Sequence, residues 1–258
     1  MAEGTSISEG DLGSGLKSRH LTLMGLGTAV GAGLFLGVGV GIRAAGPAIL
    51  IAYVIAGLIV IAVMRMLGEM AAAYPSSGSF ATYGRMAFGH WAGFLLGWIY
   101  WFLLIMACGA ELTGASAMMA GWFDVPQWVP GLIVVAVLTA VNLAQVKGFG
   151  EFEYWFAMIK IIAIVALIVV GAVLIITGFE HDGARASLAN LWEHGGVFPQ
   201  GFMGFVAGFQ IAVFAFVGIE LVGTAAAETK NPEKNLPRAI NAIPIRILLF
   251  YVGSLVIL

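Results

Sequence analysis

An apolar run of about twenty residues can cross a ~30 Å hydrocarbon core as a single helix. This chain repeats such runs at roughly 21–42, 47–72, 91–121, 128–146, 154–178 and 202–227, with a seventh opening near 241. Within lipid every backbone N–H and C=O must be satisfied inside the protein, so runs of this length commit the chain to helices. Only 10% of the 258 residues are charged, against about a quarter in a soluble domain. The pattern predicts an all-α polytopic membrane protein. Its breaks carry loop chemistry: "AAGP" at 44–47, "YPSSGS" at 74–79, "FDVPQWVP" at 123–130 and "KNPEKNLP" at 230–237.

Cations set the orientation. With the N-terminus inside, the inner segments hold Lys17, Arg19, Arg65, Arg85, Lys147, Lys230, Lys234, Arg238 and Arg246, and the outer ones hold Arg43 and Arg185. Residues 1–20 then form a cytoplasmic tail, since acids precede the first cation and the following apolar stretch exceeds a signal-peptide core. A net charge of −2 with no basic tract makes nucleic acid an unsuitable partner. The single cysteine, Cys108, permits no internal disulfide. The sequence stops inside an apolar run, "FYVGSLVIL", which reads as a truncation of a longer protein.

Span one is weakened along its length. "GLGTAVGAGLFLGVGVG", residues 25–41, holds seven glycines, each costing a helix about 1 kcal/mol relative to alanine. One reading is close packing, because Gly27/Gly31, Gly33/Gly37 and Gly37/Gly41 are spaced as GxxxG. The other is an interrupted helix whose freed backbone lines a site, a device that inverted-repeat transporters use in pairs. A matching break is expected in span six, where Gly218 is followed by Glu220 among apolar neighbours. An ionisable residue inside a span is a functional hypothesis by default. The alternative is that Glu220 reaches water at the cytoplasmic end.

The stretches "GLGTAVGAGLFLGVG", "RMLGEMAAAYPSSGSFATYG" and "FVGIELVGTAAAETKNPEKNLPRAI" resemble the amino acid permeases of the amino acid–polyamine–cation (APC) superfamily. The region from "KGFGEFEYWFAMIKIIAIVALIVVG" to "NAIPIRILLFYV" is similar to the bacterial D-serine/D-alanine/glycine permeases. The resemblance implies a leucine-transporter-like inverted-repeat (5+5) fold. Residues 21–258 would be a truncated permease domain, its first repeat at about 21–178 and its second opening at about 202. It also implies a multi-pass protein of the cytoplasmic (inner) membrane that imports amino acids. Small neutral substrates lead: D-alanine, D-serine and glycine. Aromatic amino acids, proline, GABA and branched-chain amino acids stay open.

Site residues follow from the same resemblance. In span one the family pattern aligns with Gly27 to Phe35, and Thr28, Ala29, Gly31, Ala32 and Gly33 would hold the substrate carboxylate on backbone N–H groups. Thr28 stands where the family has glycine, and Ala32 where it commonly has Thr or Ser. In span six, Ala215, Phe216 and Val217 would offer freed carbonyls to the ammonium, and Glu220 would help or take the coupling proton. Phe216 has core or lipid packing as its plain alternative to an inner gate. Lys160 in span five matches a lysine that replaces a coupling sodium, which implies proton symport with no cofactor and no sodium; snorkelling to the interface is its alternative. Tyr100 matches a substrate-facing tyrosine and Glu111, eleven residues on and therefore on the same helix face, an intramembrane carboxylate; a carboxylate at the outer interface is the alternative for Glu111.

Enzymes are disfavoured. His20, His90, His181 and His194 lie at span ends or in the outer loop, no HExxH occurs, and Ser116 has no histidine partner in sight. No repeated pore loop suggests a channel.

Overall fold

The computed structural model describes residues 31–74, 76, 78–144, 149–181, 184–193, 195–220, 244 and 247–258. Span one contains a single helical turn, α1 (Ala32–Phe35), then α2 (Gly37–Ala45). Span two is α3 (Ala48–Ala73), and a short α4 (Ser79–Phe88) leads into span three, α5 (His90–Phe123). Spans four and five are α6 (Trp128–Ala144) and α7 (Phe149–Thr177). The polar loop after them holds a two-residue antiparallel pair, β1 (Glu180–His181) with β2 (Ala184–Arg185), and the single turn α8 (Asn190–Glu193). Span six contains α9 (Gly201–Ala215). Span seven shows a π-helical turn, Ile247–Val252, continued by α10 (Gly253–Ile257).

Three of these helices, in spans two, three and five, are long and apolar enough to cross a membrane, and those of spans four and six are shorter apolar helices. Their surfaces differ. Span two buries Ile49, Ala52, Tyr53, Ala56, Met64 and Leu67 in the core, whereas span three exposes Phe94, Trp98, Trp101, Phe102 and Met106. An apolar helix with so much uncovered surface is solvated by lipid or by further helices, not by water.

The core forms where spans one and six run antiparallel against span two. Gly33, Gly37 and Gly41, one helical turn apart, all face span six. A Cβ on Gly33 would stand 2.5 Å from the Ala215 Cα, one on Gly37 would stand 3.3 Å from Ile211, and one on Gly41 would meet Ile49 at 2.9 Å. Further along the same contact, a Cβ on Gly208 would lie 2.6 Å from that of Ala45. The glycine stripe is therefore a packing surface, as the GxxxG spacing predicts, and it belongs to a helix that is also interrupted. Packing and interruption coexist in one span.

Gly39 lies off that stripe, with open space where a Cβ would project. Gly39→Ala should therefore raise the melting temperature of the complete protein, recovering up to about 1 kcal/mol of helix propensity. Gly33→Ala should lower it, since overpacking against backbone costs about 1–3 kcal/mol. Thermal unfolding of the two variants in detergent checks both signs; equal shifts would contradict the crossing.

Candidate functional site

The site is built where the two interrupted helices meet. In span one, Gly31 lies outside helical structure, and the Leu34 N–H donates to its carbonyl at 3.1 Å to open α1. Leu36 then separates α1 from α2. Thr28 and Ala29 lie outside the described residues, so the structure places Gly31 and Gly33 of the expected carboxylate-binding stretch, together with the backbone of Ala32.

Span six leaves helical structure where the sequence predicts an interruption, and the residues that directly follow Glu220 lie outside the described ones. α9 ends at Ala215, and Phe216 to Glu220 form successive turns, with Phe216 N–H donating to Val213 O, Val217 N–H to Phe214 O and Ile219 N–H to Phe216 O. Gly218 has φ +97°, a backbone conformation that side chains strongly disfavour, so glycine is what lets the chain turn here. The turn brings the Glu220 carboxylate back on the peptide before it. The Gly218 N–H donates to Glu220 Oε2 at 2.9 Å, and the Tyr100 hydroxyl from span three donates to Oε1 at 3.2 Å. Tyr100 and Glu220, singled out separately in the sequence, are thus direct partners. They border a largely apolar cavity of about 240 Å³, whose wall includes Ile59, Val63, Met64, Phe80, Leu103, Val213 and Val217.

The face of span three that carries Tyr100 runs along both breaks. Eleven residues further on, a Glu111 carboxylate oxygen lies 2.8 Å from where a Gly31 Cβ would be, and the Leu36 side chain fills the notch left by Gly114. Tyr100 therefore meets the break in span six and Glu111 meets the break in span one. Lys160 is half-buried on span five, between buried Ala157 and Ile164 on one helical stripe, so its stem rises from the core-facing side.

Phe216 is 3% exposed and lies in an aromatic cluster, its ring centroid 5.9 Å from that of Tyr53 and 4.6 Å from that of Tyr251. Packing is what the structure shows for it, although its edge also reaches the cavity. The Ala215 carbonyl, the first of the three expected to face an ammonium, accepts a hydrogen bond from the Tyr251 hydroxyl at 3.0 Å. Sequence reasoning missed Tyr251 and Tyr53. Both sit in apolar runs where an aromatic residue is unremarked, and only the three-dimensional path of span six gives them partners.

The family described as "Amino acid permease" matches residues 20–258. Among similar proteins, the aromatic amino acid transport protein AroP of Corynebacterium glutamicum is 55% identical over 247 residues, covering 96% of this chain and 53% of the relative. The amino-acid permease AapA of Bacillus subtilis is 53% identical over 248 residues, covering 96% of this chain and 54% of the relative. The D-serine/D-alanine/glycine transporter of Escherichia coli is 50% identical over 260 residues, covering the whole of this chain and 55% of the relative. The chain thus spans about half the length of the curated relatives it matches. Two interrupted apolar helices crossing at glycine, with a carboxylate at one break, agree with the match: the chain belongs to the amino acid permease family.

Proposed function

We propose that the complete protein is a secondary transporter that imports amino acids across the cytoplasmic membrane by proton symport. Small neutral amino acids, D-alanine, D-serine and glycine, lead as substrates. The observation that carries this reading is Glu220 at the end of the span-six break, held by Tyr100 and by the Gly218 N–H. Its likeness to a transporter of those substrates along the whole chain supports the substrate class. In this reading the carboxylate of the substrate binds backbone N–H groups of Thr28, Ala29, Gly31, Ala32 and Gly33, and its ammonium binds carbonyls of the Phe216–Val217 turn. The N-terminus is cytoplasmic, and the amino acid and the lipid bilayer are the partners.

The Tyr100–Glu220 pair suits a proton-carrying site. As a carboxylate, Glu220 accepts from both neighbours. Once protonated on Oε1 it becomes a donor there, and a phenol oxygen accepts as readily as its hydrogen donates. The Tyr100 contact then survives with its direction reversed, while the Gly218 N–H keeps Oε2. The two side chains thus stay hydrogen-bonded to each other in both protonation states. Lys160, rising from the core-facing side of span five, supplies a fixed cation in place of sodium, and Glu111 beside Gly31 is a second carboxylate for the coupling path.

A second reading, transport of aromatic amino acids, is favoured by the relative named for them. Uptake of labelled glycine, D-alanine and phenylalanine into proteoliposomes, with an inward proton gradient and no sodium, separates the two. Accumulation of phenylalanine alone would keep the coupling and replace the substrate class; uptake that requires sodium would overturn the role given to Lys160. Glu220→Gln should abolish gradient-driven accumulation. Tyr100→Phe should reduce kcat/KM by about 10- to 150-fold, the effect of losing one hydrogen bond to a charged group worth about 1.5–3 kcal/mol.

A further inference from the structure

Span seven contributes a group that span six cannot supply for itself. When a helix stops at Ala215, the carbonyls of its last turn lose their i+4 partners; the Phe216 and Val217 N–H groups meet those of Val213 and Phe214, and the carbonyl of Ala215 is left to find another donor. At membrane depth those groups must be satisfied within the protein. The Tyr251 hydroxyl meets the one at Ala215, and both residues are buried. Tyr251 reaches it from a π-helical turn, Ile247–Val252. Such turns are rare and recur at functional sites, because the extra residue re-aims the side chains that follow. Ser254 stitches this one: its hydroxyl reaches the carbonyls of Phe250 and Tyr251. On the other side of Ala215, Gly33 packs so close that a Cβ there would stand 2.5 Å from the Ala215 Cα. The residue at which span six opens is clamped between span one and span seven.

We propose that Tyr251 is a positioning residue of the amino acid site. By holding the Ala215 carbonyl it fixes where the helix ends, and hence the direction of the open segment Phe216–Glu220 that receives the ammonium. The inference rests on the function proposed above, yet the clamp is a property of the protein whether or not a given amino acid moves. Without the hydroxyl, the ring still packs on Phe216, and the freed carbonyl is left to compete for other donors. The open segment then samples several directions, and the substrate meets fewer preorganised acceptors.

Tyr53 is the internal control. It belongs to the same ring cluster, with its centroid 5.8 Å from that of Tyr251, and its buried hydroxyl has no partner among the described residues. Tyr53→Phe and Tyr251→Phe therefore remove the same atom from the same cluster, one unpaired and the other paired. In proteoliposomes holding the complete protein, uptake is measured with labelled D-alanine and labelled phenylalanine. Tyr251→Phe is expected to raise KM about tenfold, equivalent to about 1.4 kcal/mol, with kcat per folded transporter retained. Tyr53→Phe is expected to leave KM unchanged. Ser254→Ala, which loosens the π-helical turn without touching ring or phenol, is expected to raise KM by a smaller factor and stands in if Tyr251→Phe does not fold. Hydrogen exchange of the 216–220 amides, without substrate, is expected to quicken in Tyr251→Phe and not in Tyr53→Phe.

An unchanged KM in Tyr251→Phe, a fall in kcat or folded amount alone, or identical behaviour of the two phenylalanine variants would overturn the proposal. If the unaltered protein accumulates neither label, the substrate reading fails, and the exchange measurement alone decides the role of Tyr251.

Discussion

The rest of the described structure depends on one contact between two backbones. Gly33 of span one lies so close to the Ala215 Cα that any side chain at Gly33 would collide with main chain, which cannot yield. Between helices in lipid no hydrophobic force draws the partners together, so close van der Waals approach has to do it. The glycine stripe supplies that approach along a full face of span one, from Gly33 to Gly41. The crossing also sets the two interruptions at the same depth. In the proposed function, a site for both ends of an amino acid needs freed donors and freed acceptors close together, and this crossing sets Gly33 beside Ala215.

Interrupted helices create a second requirement, because each loosened turn exposes polar backbone where there is no water. The structure meets it with side chains from neighbouring spans. Span seven brings Tyr251 to the Ala215 carbonyl, and span three brings Tyr100 to the carboxylate that caps the Gly218 N–H. Span three also lays Glu111 beside Gly31 and packs Gly114 under Leu36. A buried polar network is stabilising only when its members are satisfied. That is consistent with the two tyrosines serving the two ends of one short segment, Ala215 and Glu220, and with a rare π-helical turn in span seven beside one of them.

Much of this was legible in the sequence, and the reasons are physical. Span two was read at 47–72 and is helical from Ala48 to Ala73, because proline and glycine bound the run on one side and a polar loop on the other. The break in span six was legible because Gly218 and Glu220 are expensive inside an apolar helix. Glu220 stood out as a carboxylate in an apolar run, and Tyr100 and Glu111 followed from the family resemblance, yet the Tyr100–Glu220 pairing was not legible, since 120 residues separate the two. The GxxxG spacing separates Gly33, Gly37 and Gly41, on the packed stripe, from Gly39, in open space, but it could not name the helix that covers them. Tyr251 left no local signal at all. A phenol in an apolar run is common, and the turn that re-aims it is fixed by packing and by Ser254 rather than by any residue preference.

The position of Tyr251 along the chain has a consequence for how the protein is made. When Glu220 leaves the ribosome, Tyr100 has long been in place, so the carboxylate finds its partner at once. The Ala215 carbonyl must wait for a hydroxyl 36 residues downstream, which at ordinary synthesis rates is about 2–7 s. During that interval the end of span six is an incomplete helix, ill suited to bare lipid. The end of span six is therefore fully hydrogen-bonded only after span seven has followed it.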